Sequence, residues 1–406
     1  MHPENISIAD YTYVLPEEKI AKYPLTERDQ SKLLIYSSGK ISEDIFKNIS
    51  THLPSNSLLV FNDTKVVEAR ILFQKPTGGV IEIFCLEPAA GYADITTAML
   101  QKRKVLWQCL IGGASKWKHG QILEKKITSN ETEFVVSARY MEKKADSFVI
   151  EFSWDNDFSF AEVLHHAGLI PLPPYIKRAV ENNDKERYQT IYAHFEGSVA
   201  APTAGFHFTD RVFKLLDQKN IKKEFVTLHV GAGTFKPVKS ETIGEHEMHT
   251  EFIEVAASAI ENILNNLSGT IIPVGTTSLR TIESVYWLGV KIMEEKNPAE
   301  LFIPQWFAYE RRNQVSVEES LSAVLNFMKA SSLKKIVART QIIIVPGYEF
   351  KIAKALITNF HQPQSTLLLL VAAFIGKQWL TVYQYALENN FRFLSYGDSC
   401  LFFRRG

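Results

Sequence analysis

Cysteine is scarce in this chain: Cys85, Cys109 and Cys400 are the three thiols among 406 residues. They are too scattered for metal-ligand spacing and too few for a disulfide framework, which suits a reducing compartment. Net charge is lacking as well, because 45 basic and 45 acidic side chains cancel. No global field therefore announces a nucleic-acid partner. Local basic clusters remain, such as Lys102-Arg103-Lys104, Lys125-Lys126 and Lys177-Arg178, and each alone is ordinarily a solvated face. The amino terminus, MHPENISIADY, lacks the basic-then-apolar order of a secretory leader. The run LLLLVAAFIG near Leu367 is about half of a bilayer span and reads as a buried core helix. These features predict a cytoplasmic protein without a membrane segment.

Nucleotide fingerprints are missing too. Gly231-Ala232-Gly233 begins like a dinucleotide loop, but Lys236 stands where the third glycine belongs and Pro237 follows. That excludes the Rossmann loop and the usual glycine-rich methyltransferase loop. No P-loop and no Gly-x-Ser-x-Gly elbow occurs elsewhere.

What the chain does contain is concentrated in two runs, GSVAAPTAGFHFT (Gly197 to Thr209) and TLHVGAGTF (Thr227 to Phe235). They bracket one expected helix. Thr209 suits an N-cap, with Val212, Leu215 and Leu216 at helical spacing behind it, so His207 falls just ahead of a helix N-terminus. Phe225 to Val230 alternates as a strand: Val226, Leu228 and Val230 share one face, Thr227 and His229 the other. His229 is thereby directed away from the apolar face, at a strand end that runs into glycines able to approach a ligand. The structural alternative is a pair of loop histidines held by hydrogen bonds.

Organisation changes along the chain. From about Arg70 to Trp154, short apolar or alternating runs are punctuated by glycines and show no persuasive helix. VIEIFCL, VLWQCLI, EFVVSARY and SFVIEFSW are examples, and they predict a small β-barrel or sandwich. Beyond Phe158 helix and strand signals alternate. They include a helix near Phe160 to His166 stopped at Gly168, a strand Thr270 to Val274, a helix from Ser278, and a strand Gln341 to Val345. The first sixty residues have the same mixed texture and end in a strand, Leu58 to Phe61. The expected fold class is therefore α/β plus all-β: a discontinuous α/β barrel-like domain (1–65 and 155–406) carrying an inserted small β-barrel domain (66–154). A polar segment at about 290–339 is expected to be a helical insert, with a Ser316/Glu319 capping box and a stripe of Leu321, Val324, Leu325 and Met328.

Read with their neighbours, these runs resemble the S-adenosylmethionine:tRNA ribosyltransferase-isomerase family of queuosine biosynthesis. The blocks carrying the resemblance follow in order along nearly the whole chain: RDQSKLL, LLVFNDTKVVEAR, PLPPYIKR, ERYQTIYA, PTAGFHFT, TLHVGAGTF, HEMHTE, VGTTSLRTIES, PGYEF, LITNFHQPQSTLLLL and FRFLSYGD. The resemblance implies the two-domain architecture already read from the pattern. It also implies a reaction in which S-adenosylmethionine gives its ribosyl portion to 7-aminomethyl-7-deazaguanine at the tRNA wobble position. Epoxyqueuosine forms, and adenine and methionine leave. S-adenosylmethionine is then a co-substrate, no other cofactor or metal is expected, and the macromolecular partner is tRNA. A catalytically inactive tRNA-binding paralogue is the rival reading.

That chemistry assigns roles. A base must take the C5′ hydrogen acidified by the sulfonium, and departing adenine is helped by a proton. His207 and His229 are the candidates for acid and base, with Asp398 as a third group. Arg280 and Glu283 lie three apart on a helix that begins just after Gly275-Thr276-Thr277; that loop, with Thr276 and Thr277, and Arg280 suit the methionine carboxylate, and an Arg280–Glu283 ion pair is the alternative. Asn62, Asp63, Thr64 and Lys65 follow a strand and are candidates for ribose or RNA contacts, with an Asx-type turn as the competing account. Asn359 and His361 stand at another strand end, and Tyr175, Tyr188 and Tyr192 suit base stacking. Arg187, Thr203, Gly231, Gly233 and Thr234, all within the matching blocks, complete the expected substrate-binding set. His246 and His249 invite a metal, but a strand from Glu247 would part them. The chain departs from the family pattern at Lys32, Glu68, Gln362 and Gln364, which bears on the tRNA surface more than on the reaction centre.

Overall fold

The computed structural model describes residues 3–89, 91–92, 95–129, 132–144, 147–231, 238, 240–296, 298–311 and 315–404. Its architecture is mixed α/β with two large sheets and a two-stranded ribbon. Ten strands form the central sheet, in the order Phe302–Ile303, Lys335–Thr340, Glu251–Ala256, Lys222–His229, Ser57–Asn62, Thr270–Val274, Ala355–Asn359, Ser399–Phe403, Lys32–Ser37 and Lys40–Ile45. The middle four, from Lys222–His229 to Ala355–Asn359, run parallel. Such strands are covered on both faces and read as continuous apolar runs. Leu58 and Val60 enter one core cluster, and Leu59 and Phe61 the cluster on the other face.

The fold places function at one edge. The carboxyl ends of these four parallel strands lead directly into His229–Gly231, Asp63–Thr64, Gly275–Thr277 and Phe360–His361. In open α/β sheets ligands bind outside such ends.

The sheet is open rather than closed. No ladder joins Phe302–Ile303 to Lys40–Ile45 among the described residues, so the barrel-like expectation is corrected to an open mixed sheet. The expected strand Gln341 to Val345 is also displaced: the ladder strand is Lys335–Thr340, which pairs with Glu251–Ala256, and 341–345 continues beyond it. An apolar run was legible there, but the pairing that selects its ladder portion was not. The segment 290–339 does more than add a helix. It supplies Phe302–Ile303 and most of the neighbouring Lys335–Thr340 strand. Helix Val317–Ala330 carries the Ser316/Glu319 capping box and buries Leu321, Val324 and Met328 against helix Thr276–Glu295.

Seven strands form the second sheet: Gly168–Leu169, Arg70–Gln74, Val80–Pro88, Lys104–Gly112, Phe148–Trp154, Thr132–Lys143 and Ile122–Ser129. Its first long strand approaches its last, Arg70–Gln74 against Ile122–Ser129, so the sheet curls. The capped helix Phe160–Ala167 packs with it, burying Phe160, Val163 and Leu164 in the same cluster as Trp107 and Phe152. The helix expected from LLLLVAAFIG spans Thr366–Ile375 and is a core element. With the short turn and the helix Trp379–Glu388 that follow it, Thr366–Glu388 is long and apolar enough to cross a membrane by composition, yet more than half of its most apolar window is buried within the molecule.

Candidate active site

Helix Thr276–Glu295 begins immediately after Gly275, whose φ of 92° places the backbone in a region that favours glycine. Its first turn opens on a cleft of about 810 Å³ also lined by Tyr175, Thr203, Asn359, His361 and Ser395. Two buried donors there, Thr277 Oγ1 and Arg280 Nη2, have no hydrogen-bond partner among the described residues. The Arg280 pairing differs from the intrahelical one considered from the sequence. Its Nη1 meets Glu251, and its Nε donates to the Ile342 carbonyl at 3.2 Å. Glu283 is corrected as a substrate contact. It is fully buried and accepts hydrogen bonds from Tyr348 and from the backbone of Lys351, Ile352 and Ala353. Burial raises its pKa, and its work is to tie the helix to that loop.

Around Val230 and Gly231 the surface continues into a second cleft of about 720 Å³, which His229 lines. His229 is buried. Its Nδ1 lies 3.3 Å from Thr64 Oγ1, while its Nε2 has no partner at hydrogen-bond distance among the described residues. Nε2 is 3.8 Å from Glu254 Oε1, within ion-pair range. The His229 imidazole, followed by the Lys335 ammonium, holds the Glu254 carboxyl down at about 2. A permanent anion is thus placed beside the imidazole. The sequence did not reveal Glu254, because only the antiparallel register Thr227↔Glu254 puts it on the His229 face. Nor did it reveal Gly197. A Cβ there would stand 2.6 Å from His229 Nδ1 and 2.5 Å from Ile95 Cγ2.

His207 is placed differently from the expectation. It lines neither cleft and sits one layer behind Asn359. The Asn359 amide donates from Nδ2 to the Leu394 and Ser395 carbonyls, which turns its Oδ1 toward His207 Nε2 at 3.0 Å. Nε2 must then carry hydrogen, and Nδ1 accepts from the Ser31 hydroxyl at 2.7 Å. Burial pushes the His207 pKa down to about 4, so the ring is neutral near pH 7. These contacts hold both His207 ring nitrogens within the protein, behind the cleft wall rather than in it. Asp398 is buried too: its oxygens accept from the Lys32 and Arg392 backbone amides and from the Arg392 guanidinium.

The remaining candidates divide plainly. Tyr175 lines the first cleft with its hydroxyl 2.6 Å from Ser395 Oγ, and burial pushes its pKa up to about 12. His361 lines it too, lowered to about 3 by burial. Asn62 is a structural clamp: its Oδ1 accepts from Thr64 and Leu228 and its Nδ2 donates to the Leu228 carbonyl. Asp63 accepts from Thr227 at 2.7 Å, and burial raises its pKa. Lys65 pairs with Glu196 at the surface. Arg187 is used in tethering the Leu25 and Thr26 carbonyls, and the Tyr188 ring is fully buried and so unavailable for stacking. Gly231 lies where the clefts meet, whereas Gly233 and Thr234 lie outside the described residues. His246 and His249 occupy the loop before Glu251–Ala256, beside an apolar cleft. Among the described residues, no group of three or more His, Cys, Asp and Glu side chains is placed to hold a metal.

The sequence matches the family model described as queuosine biosynthesis protein over residues 8–402. Three relatives carry the name S-adenosylmethionine:tRNA ribosyltransferase-isomerase. The protein from Halothermothrix orenii is 37% identical over 98% of this chain and 99% of its own length. That from Magnetococcus marinus is 36% identical over 98% and 94%. That from Caldanaerobacter subterraneus subsp. tengcongensis is 38% identical over 97% and 98%. A crystal structure of the S-adenosylmethionine tRNA ribosyltransferase from Thermotoga maritima at 2.00 Å resolution is similar over 97% of this chain and 99% of that one, at 25% identity and a TM-score of 0.45. The chain belongs to the queuosine-biosynthesis family of S-adenosylmethionine:tRNA ribosyltransferase-isomerases.

Proposed function

We propose that this chain is an active transferase that moves the ribosyl portion of S-adenosylmethionine onto 7-aminomethyl-7-deazaguanine at the wobble position of a tRNA. Epoxyqueuosine is the product base, and adenine and methionine are released. The observation that carries the proposal is a pair of buried donors without hydrogen-bond partners among the described residues, Thr277 Oγ1 and Arg280 Nη2, on residues that line the first cleft, next to a second cleft lined by His229 with Glu254 beside its Nε2. Leaving such atoms unpaired is costly unless a ligand completes them.

In this reading the helix N-terminus at Thr276–Thr277 and the Arg280 guanidinium bind the methionine carboxylate. His229 exchanges protons with the reacting ribosyl group, and Glu254 stabilises the imidazolium so formed. Thr64 orients the ring. Asn359, held by His207, and Tyr175 line the co-substrate cleft. The inserted unit is drawn at 66–154, with helix Phe160–Ala167 packed on its sheet. The protein is placed in the cytoplasm, where tRNA and S-adenosylmethionine are available.

The test is direct. Incubation with S-adenosylmethionine and tRNA bearing the aminomethyl base should release adenine and methionine together. S-adenosylhomocysteine would instead indicate methyl transfer, and tRNA binding without turnover would indicate an inactive paralogue.

A further inference from the structure

A third cleft, of about 590 Å³, joins the other two and has no role in the chemistry proposed above. It shares Arg280 and Leu367 with the first cleft, and Gly231, His249 and Glu251 with the 720 Å³ cleft. Met248, Ile342, Ile344 and Leu370 give it an apolar lining, the kind of surface that buries a flat ring.

One residue in that lining carries unused backbone groups. Within the run 341–345, the Ile342 amide donates to Thr340 Oγ1 and its carbonyl accepts from Arg280 Nε. Ile343 donates to the Gln305 carbonyl and accepts from the Tyr309 hydroxyl; Val345 donates to that hydroxyl and accepts from the Tyr348 amide. Ile344 stands among them, buried, and neither its N–H nor its C=O has a hydrogen-bond partner among the described residues. Buried backbone groups are rarely left so. Their direction follows from alternation. The Gln341 and Ile343 amides donate to the Ile303 and Gln305 carbonyls at one edge of the run. Ile342 and Ile344 therefore turn to the opposite edge, where Arg280 meets the Ile342 carbonyl.

A donor and an acceptor side by side on an apolar wall complement an adenine. Its 6-amino group donates beside a ring nitrogen that accepts, N1 on one edge and N7 on the other. The ammonium of methionine has donors alone and would leave the Ile344 N–H unpaired. With its ribose held, a 6-oxo purine would set its oxygen against the Ile344 carbonyl. Position agrees with the chemistry. The clefts converge on Val230–Gly231, next to His229, where the proposed reaction places the ribosyl group. A ribose there sends its methionine arm into the first cleft and its base into the third. We propose that the third cleft holds the adenine of S-adenosylmethionine, with the Ile344 amide and carbonyl reading its 6-amino edge. The inference rests on the ribosyltransferase reading and adds to it the site that recognises the leaving base.

Calorimetry with the wild-type chain compares S-adenosylmethionine with its analogue carrying a 6-oxo purine in place of adenine. The 6-amino compound should bind about 10²-fold more tightly or better, because the oxo group meets the Ile344 carbonyl. Met248→Trp then tests the cleft itself. The Met248 backbone is held by the Gln305 and Gln341 side chains, so its own side chain can change without releasing the loop. A larger ring there should weaken S-adenosylmethionine and free adenine by about tenfold or more, with methionine affinity kept. Unchanged adenine affinity in Met248→Trp, or an equal loss of adenine and methionine affinity, would overturn the placement. Should Met248→Trp fail to fold, the wild-type comparison decides alone, and equal affinity for the two compounds overturns the inference. A wild-type protein that binds neither compound would instead bring down the ribosyltransferase reading itself.

Discussion

One nitrogen of His229 meets the Thr64 hydroxyl, and the other faces a cleft beside an anionic Glu254. Replacing this ring should therefore remove a proton-transfer group without unpacking the sheet. His229→Ala is expected to lower single-turnover adenine release by about 10² or more. Wild-type turnover would exclude His229 from the chemistry. Gly197→Ala probes the same group from its other side, since the added methyl collides with the ring and with Ile95. It should slow turnover at least about tenfold, with S-adenosylmethionine affinity retained. Retained turnover would show that the ring tolerates displacement. His207 predicts a different phenotype. Its folded pKa of about 4 is depressed from 6.5. Its contribution is therefore complete above pH 6.5 and is lost as pH falls toward 4, by about 3 kcal/mol if the whole shift is realised. Denaturant titrations at pH 7 and pH 4.5 should show this acid sensitivity and its flattening in His207→Gln. An unchanged pH slope in that variant would reject the assignment.

Among the elements, helix Thr276–Glu295 carries both stability and binding. Its carboxyl half is pressed so closely on helix Val317–Ala330 that a Cβ at Gly289 would stand 2.2 Å from the Ser320 carbonyl. Gly289→Ala should therefore cost about 1–3 kcal/mol, read from the denaturation midpoint. Stability equal to wild type would mean that the helices separate freely. At the other end, Arg280→Lys keeps the charge but loses the planar fork. It should weaken S-adenosylmethionine binding by about 10-fold or more; unchanged affinity by calorimetry would remove Arg280 from the ligand site. Local signals made much of this helix legible, including the Gly-Thr-Thr turn and the apolar run behind it. They could not tell that Arg280 pairs with Glu251 and Glu283 with a loop near Tyr348, because both partners arrive from distant strands and turns. The same limit applies to His207 and His229. Alternation correctly separated His229 from the Val226, Leu228 and Val230 face, but only the fold shows that Asn359 stands between His207 and the cleft.

At the scale of the whole molecule, the clefts are consecutive lengths of one surface: Val230 belongs to both larger ones, and Arg280, Gly231 and Glu251 link them through the apolar cleft. Among the described residues the first cleft takes no lining residue from the strands of the curled sheet, whereas the 720 Å³ cleft takes part of its lining from them. This division predicts ordered protection in hydrogen exchange. S-adenosylmethionine alone should slow exchange in the first turn of helix Thr276–Glu295 and around Asn359, leaving strands Val80–Pro88 and Lys104–Gly112 at their free rates. Adding the anticodon stem-loop should extend protection to those two strands, because filling the cleft they line restricts their local opening. Equal protection of both sheets by S-adenosylmethionine alone would mean that the co-substrate bridges the clefts. Protection by RNA confined to the central sheet would mean that the base docks without the inserted wall. Either result would separate the chemistry at His229 from docking of the RNA against the curled sheet, and the arrangement of two sheets around one groove would then require a different purpose.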